Sequence, residues 1–239
     1  MIWINTNDEI TNHKSVFLKG WVSYFLYFKF GMKKTVIEFF LENKKIGETE
    51  TDQNGFFELE YEFENSGVFK IKTQIQNMEY FFSFFHILVL EKDNRKQALV
   101  CDVDNTIVDF SYWLLLTRSQ FKEIQGAEET LKILSEHYHI IYLTHREERF
   151  SCFTKQWFDL HSLPAGPIIF WSSKDYPIAN QKYKNKALAD LIKKTGLKLA
   201  AGIGDKKSDI AAYQKNGIKK TFLLKEPKDW EKIREALII

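Results

Sequence analysis

Asp102 and Asp104 stand two residues apart, with Thr106 two further on, in the stretch Gln97–Asp109 (QALVCDVDNTIVD). Ala98–Cys101 is apolar and reads as a buried strand, so the two carboxylates leave its C-terminal end. In open α/β sheets, ligands bind in the crevice outside the carboxyl ends of the strands. Carboxylates this close repel, and each is costly to desolvate unless a cation or hydrogen bonds offset it. Mg²⁺ meets both needs, because it binds through one or two carboxylates and keeps several waters. The plain alternative is a loop with two solvated aspartates and Thr106 capping a helix, since aspartate is a common turn residue.

Positioning such residues needs a sheet, and the chain from Gln97 alternates strand and helix patterns. Strands are expected at His139–Leu143, Ile168–Phe170, Leu199–Ile203 and Lys220–Leu224. Helices are expected at Glu129–His137, 147–159, Lys184–Lys194, Ile210–Lys215 and Pro227–Ala236. That order gives a mostly parallel sheet with helices on both faces, and right-handed crossovers put every strand's C-terminal end on one edge. The edge then collects Asp102, Asp104, Thr144, Arg146, Asp205 and Asp209. Asp102, Asp104 and Asp205 or Asp209 are candidate metal ligands, and Thr144 is placed to hydrogen-bond a phosphoryl oxygen. Lys182, Lys184 or Lys186 could offset negative charge, as the three equatorial oxygens of a transferring phosphoryl group require. An aspartate can itself serve as nucleophile, with a neighbouring carboxylate as acid and then base.

These residues resemble the motifs of the haloacid dehalogenase (HAD) superfamily. Asp102–Val103–Asp104–Asn105–Thr106 is similar to its DxDxT motif, and Thr144 stands at the second motif. Lys184 is the best candidate for the third-motif lysine, and Gly204–Asp205–Lys206–Lys207–Ser208–Asp209 is similar to the acidic fourth motif. Within the superfamily, the chain resembles the lipin-type phosphatidate phosphatase domain and its relatives, the fungal actin-patch phosphatidate phosphatases included. The agreements are Thr144–His145–Arg146, Leu163–Pro164–Ala165–Gly166–Pro167, Tyr183–Lys184 and Ala212–Tyr213. Asn105 stands where the lipins have glycine, and His145 is bulkier than the usual small residue.

The resemblance implies an Mg²⁺-dependent phosphomonoester hydrolase working through an aspartyl-phosphate. Asp102 would attack phosphorus. Asp104 would act as acid and then base and give its backbone carbonyl to the metal. Thr144 and Lys184 would hold the phosphoryl group, with Arg146 orienting a phosphate or fixing its loop. Asp205 and Asp209 would complete the metal site. Thr106 and Thr144 are separated by 37 residues, and Thr144 and Lys184 by 39, so no large cap domain fits in either gap. An open site of this kind suits a bulky or membrane-held phosphomonoester such as phosphatidate. Two other readings stay open: a phosphatase for a soluble phosphomonoester, and a non-catalytic module that binds a phospholipid headgroup. A nicotinamide-binding reading is weak, because no GxGxxG follows the Ala98–Val103 segment.

Residues 1–96 differ from the rest. Strands are expected at Ser15–Val22, Thr35–Leu41, Phe56–Phe63, Val68–Thr73 and Phe81–Leu90, with weaker ones at Tyr24–Phe30 and Lys45–Glu50. Aromatic and aliphatic residues alternate with glutamate in Phe57–Phe63, the period of a half-buried strand. Asn54–Gly55 ahead of it is a turn signal. The expectation is a β-sandwich over 1–96, a polar connector at Glu91–Lys96, and a HAD-like α/β catalytic domain over 97–239. Tyr24, Phe25, Tyr27 and Phe28 could touch lipid, and Tyr112–Leu116 could touch an acyl chain; filling a core is the commoner use of such residues.

The formal charge of the 239-residue chain is +2, which gives no field for nucleic acid. Residues 1–96 carry −2 and residues 97–239 carry +4, so the second part mildly favours an anionic substrate. Two cysteines, Cys101 and Cys152, make no disulfide framework. The opening MIWINTNDEI lacks the basic and apolar regions of a secretory leader, and no apolar run is long enough to span a membrane. A cytoplasmic setting with peripheral membrane contact is expected, with a phosphorylated small molecule or phospholipid as partner and no oligomeric state indicated.

Overall fold

The computed structural model describes residues 2–24, 30–91, 96–109, 122–172, 174 and 176–238. The chain forms two compact units. One is made of Met1–Asp93, Arg146–Leu160 and Ala165–Pro167, the other of Asn94–His145, His161–Pro164 and Ile168–Ile239. Segments Phe25–Phe28 and Tyr112–Leu116, raised above as lipid contacts, lie outside the described residues.

The first unit holds two sheets. Ser15–Tyr24 is the centre of one, pairing antiparallel with Ile2–Thr6, Phe30–Gly31 and Phe56–Glu62. The other runs in the order Glu9–Thr11, Met78–Val89, Gly67–Ile75, Val36–Leu41, Lys44–Glu50. Alternation decides which face is buried: Val16 and Leu18 point inward, while Ser15, Phe17 and Lys19 are exposed. Inward residues of both sheets, among them Leu18, Val22, Phe57, Phe39, Ile71 and Phe85, make one core cluster. Phe57 meets Phe39 and Phe85 edge-on at 5.9 and 6.4 Å between ring centres. These aromatics fill a core, as the commoner reading has it, while Tyr24 is 44% exposed.

Two features of this unit depart from the sequence reading. Strands Ile2–Thr6 and Glu9–Thr11 precede the expected first strand. Asn5, Thr6 and Asp8 look like turn residues, but here their polar groups are buried and hydrogen-bonded. Helix Ser151–Leu160, expected in the catalytic domain, is counted with the β unit. Lys155 on that helix is fully buried, and its ammonium donates to Asp8 Oδ1 at 2.6 Å and to Thr6 Oγ1 at 2.7 Å.

The second unit is mixed α/β. Its five-stranded sheet runs in the order Ile168–Trp171, His139–Glu147, Ala98–Cys101, Leu199–Gly204, Lys220–Leu223. Ala98–Cys101 pairs parallel with both neighbours, and all four of its residues are buried, so both faces of the central strand are covered. Val100 and Leu143 pack with Tyr183, Leu188 and Tyr213 from helices Asn180–Thr195 and Lys207–Lys215. Helices Ala127–His137 and Asp229–Ile238 complete the unit among the described residues. Val108–Asp109 and Lys122–Glu123 form a short antiparallel ladder beyond the Asp102 strand.

Candidate metal and phosphoryl centre

Register brings the chemistry together. Cys101 lies opposite Tyr142 on one side and Ile203 on the other. Asp102, one residue on, and Thr144 and Asp205, two residues on in the neighbouring strands, therefore emerge at the same edge. The Asp102 amide extends the ladder, donating to the Ile203 carbonyl at 2.9 Å. The chain then turns sharply: the Val103 carbonyl accepts from the amides of Thr106, Ile107 and Val108. Asn105 sits in this turn with φ +58°. Asparagine adopts that left-handed geometry more readily than other non-glycine residues, which accounts for its standing where the lipins have glycine. Trp230 closes the loop from behind, its indole N–H donating to the Thr106 carbonyl at 3.2 Å.

Lys184 is the centre of the charge network. Its ammonium lies 2.7 Å from Asp102 Oδ1 and 2.8 Å from Asp209 Oδ1, and all three side chains are buried. Burial works against the charged lysine, but the two carboxylates outweigh it and raise its pKa. Burial also pushes Asp102 up to about 7, against the pull of Lys184 and with help from Asp209 and Asp104. Asp205 is raised too, again chiefly by burial. Asp104 accepts a hydrogen bond on Oδ2 from Thr144 Oγ1 at 3.2 Å.

Asp209 is held on every side. Oδ1 takes Lys184 and the Asn180 amide at 3.2 Å, and Oδ2 takes the Lys206 amide at 3.1 Å, which closes the start of its helix. Gly204 allows the approach, since a Cβ there would lie 2.8 Å from Asp209 Cβ. Asn180 escaped the sequence reading, which starts its helix at Lys184. The run Lys182, Lys184, Lys186 puts positive charge at a helix N-terminus, where the macrodipole disfavours it. The signal lay in the spacing: Asn180 and Lys184, four apart on one helix face, both reach Asp209.

A cation fits the donor set. One oxygen each from Asp102, Asp205 and Asp209 lie within 4.8 Å of one another, and the buried Asp205 Oδ1 has no hydrogen-bond partner. Three carboxylates against one lysine leave a buried negative excess, the condition a divalent ion relieves.

The structure thus brings together Asp102, Asp104, Thr144, Lys184, Asp205 and Asp209. Arg146 is not among them: it is buried, belongs to the first unit, and donates to Thr154 Oγ1 at 3.1 Å. Glu147, the next residue, pairs with Arg149. His145 packs against Trp171 and Tyr183, and burial lowers its pKa. Lys186 lies over the Tyr176 ring, and Lys182 is exposed.

A family model described as PITM 1-3, LNS2 domain, matches residues 99–225, more than half of the chain. The chain belongs to the LNS2 domain family. The matched span holds all six side chains of the centre, and the LNS2 assignment accords with a HAD-type phosphatase at family level. No curated protein matches the chain. Among solved structures, a protein described as a HAD-like phosphatase from Mesorhizobium loti is 13% identical, covering 59% of this chain and 86% of its own, with a TM-score of 0.47. The Pnkp1/Rnl/Hen1 RNA repair complex is 17% identical over 54% of this chain, with a TM-score of 0.46. This chain spans 42% of that one's length. The CARDB domain of PF1109 from Pyrococcus furiosus is 12% identical, covering 37% of this chain and 92% of its own, with a TM-score of 0.26.

Proposed function

We propose that this LNS2 domain protein is a HAD-type phosphoric monoester hydrolase that works through an aspartyl-phosphate on Asp102. The observation that carries the reading is the buried Asp102–Lys184–Asp209 network beside the unsatisfied oxygen of Asp205. Asp102 attacks phosphorus as its carboxylate while the bond from phosphorus to the leaving oxygen breaks. Asp104 donates a proton to that oxygen. As a carboxylate it then takes a proton from the water that attacks the aspartyl-phosphate, which frees Asp102 and inorganic phosphate. Thr144, bonded to Asp104 at rest, turns its hydroxyl to a phosphoryl oxygen, and Lys184 offsets the charge.

Asp102, Asp205 and the Asp104 carbonyl would hold Mg²⁺. When bound, the ion adds positive charge that keeps Asp102 ionised and neutralises the phosphoryl oxygens. Asp209, whose oxygens already take Lys184, Asn180 and the Lys206 amide, positions Lys184 and would complete the donor set for the ion. Arg146, which donates to Thr154 Oγ1, is given no role in this scheme.

The lipin-type motifs favour phosphatidate as substrate, met at a membrane surface. No helix among the described residues is long and apolar enough to cross a membrane. A soluble phosphomonoester is the second reading, for which the cavity of about 620 Å³ beside Asp205 gives room. The test is phosphate release, with Mg²⁺ and with EDTA, from phosphatidate micelles, lysophosphatidate, glycerol phosphate, sugar phosphates and nucleotides. Mg²⁺-dependent release that disappears in Asp102→Asn supports hydrolysis. Release from no substrate, by folded protein that binds Mg²⁺, supports the headgroup-binding module instead.

A further inference from the structure

Lys184 belongs to the helix Asn180–Thr195, so where its ammonium stands depends on where that helix begins. The helix does little to fix its own start. Ala179 is the N-cap, no described side chain caps it, and the first turn has no acidic residue but carries Lys182. An uncapped N-terminus with positive charge is disfavoured. Asn180, the first helical residue, gives its amide to Asp209 instead.

Two rings from outside the helix hold the stretch ahead of it. Trp171 Nε1 donates to the Pro177 carbonyl at 3.0 Å. The His145 ring hydrogen-bonds the backbone of Ile178 in the sense that favours the protonated ring, so a ring N–H meets the carbonyl. His145 Nε2 is buried without a partner among the described residues, which leaves Nδ1 as that donor. The two rings come from neighbouring strands, His139–Glu147 and Ile168–Trp171, and lie 5.5 Å apart. His145 also packs 5.6 Å from Tyr183, the residue before Lys184, whose hydroxyl donates to the Ile169 carbonyl at 2.9 Å. Each of these hydrogen bonds goes to the main chain and none to a side chain of the phosphoryl centre. We infer that His145 and Trp171 are positioning residues: by holding the Pro177 and Ile178 carbonyls they set the helix start, and so place Lys184 between Asp102 and Asp209. A small residue at 145, as in the lipin-type domains, has no donor for Ile178. The inference rests on the hydrolase reading for what Lys184 does and adds what places it.

The test is ¹⁵N NMR of the full chain, with phosphate release in Mg²⁺ alongside. The Lys184 ammonium signal is identified by its loss in Lys184→Arg. The Trp230 indole N–H, bonded to the Thr106 carbonyl in the same unit, reports folding. His145→Ala and Trp171→Phe, which keeps a ring without a donor, should each shift or broaden the Lys184 signal and leave Trp230 in place. His145→Asn, whose amide nitrogen can stand where Nδ1 does, should restore it. Turnover of the best ester of the panel above should follow. In His145→Ala, kcat should fall about tenfold with KM within about twofold, since a misplacement of about 1 Å can cost about a hundredfold. His145→Asn should recover most of that loss. An unmoved Lys184 signal in both His145→Ala and Trp171→Phe overturns the inference. A moved signal with parental kcat does so too, as does a His145→Asn protein no better than His145→Ala. Loss of the Trp230 signal in His145→Ala marks unfolding and leaves Trp171→Phe to decide. If the parent turns over no ester, the hydrolase reading fails, and the Lys184 signal alone decides whether the two rings place it.

Discussion

Lys184 Nζ lies 2.7 Å from Asp102 Oδ1, inside a unit where both side chains are buried. It faces Asp209 as well and is the cation of the Asp102–Lys184–Asp209 network. Lys184→Met leaves two buried carboxylates without their counter-charge. Removing one partner of a buried pair costs about 3–5 kcal/mol, so the urea midpoint should fall sharply. Phosphate release should fall by about a hundredfold or more, as when one preorganised electrostatic group is lost. Lys184→Arg should not restore it, because the planar guanidinium cannot stand in for a compact ammonium between Asp102 and Asp209. A Lys184→Met protein with ordinary stability and turnover would break the account.

The raised pKa of Asp102 has a sign that can be measured. Its folded value, about 7, lies above its ordinary 3.8, so between these values the folded state binds the extra proton. Stability from this group is therefore present at low pH and is lost as pH rises toward 7. In metal-free protein, Asp102→Asn should melt higher than the parent at pH 8, and the gap should close by pH 5. Mg²⁺ should raise the parent's melting temperature at pH 8, and Asp205→Asn should remove most of that rise. Parallel melting curves at both pH values would contradict the assignment.

Much of this centre was legible because its residues are set by strand ends. Asp102, Thr144 and Asp205 each follow an apolar run whose period and length announce a buried strand, and parallel register does the rest. Arg146 follows Thr144 by two positions in the same strand, so spacing alone could not tell the two apart. The difference comes from Thr154, eight residues on, on a helix counted with Arg146 in the β unit. Asn180 and the Asp8–Lys155 pair were invisible for the same reason. A polar residue's meaning depends on what faces it, and that is a tertiary fact.

Asn105 and Gly204 test the backbone that frames the site. At Asn105, φ +58° is costly for a β-branched side chain, by roughly 1–3 kcal/mol. Asn105→Val should lose about that much stability, while Asn105→Gly should stay near the parent. Gly204→Ala puts a methyl within 2.9 Å of Asp209 Oδ2 and should lower stability and turnover together, because Asp209 must move off Lys184. Denaturant melts alongside phosphate release separate the two positions: Asn105→Gly keeps both readings, and Gly204→Ala keeps neither.

Lys155 and Asp8 form the other buried pair, 2.6 Å apart in the β unit with side chains essentially inaccessible. Burial pulls the Lys155 pKa down against the carboxylate, and Asp8 is held low by Lys155 and His86 against its own desolvation. Asp8→Asn strands a buried ammonium, and Lys155→Met removes the lysine counter-charge from a buried carboxylate. Each should cost about 3–5 kcal/mol. The double variant Asp8→Asn/Lys155→Met removes both charges and should recover part of the loss. The pair also bears on Thr144. Residues 146–160 leave the Thr144 strand and fold with residues 1–93, so the β unit contains part of the catalytic unit's connection. A chain cut to residues 97–239 loses Asp8 and leaves Lys155 unpartnered. It should be poorly folded and inactive, and a stable, active fragment over 97–239 would show that the helix finds its place without the β unit.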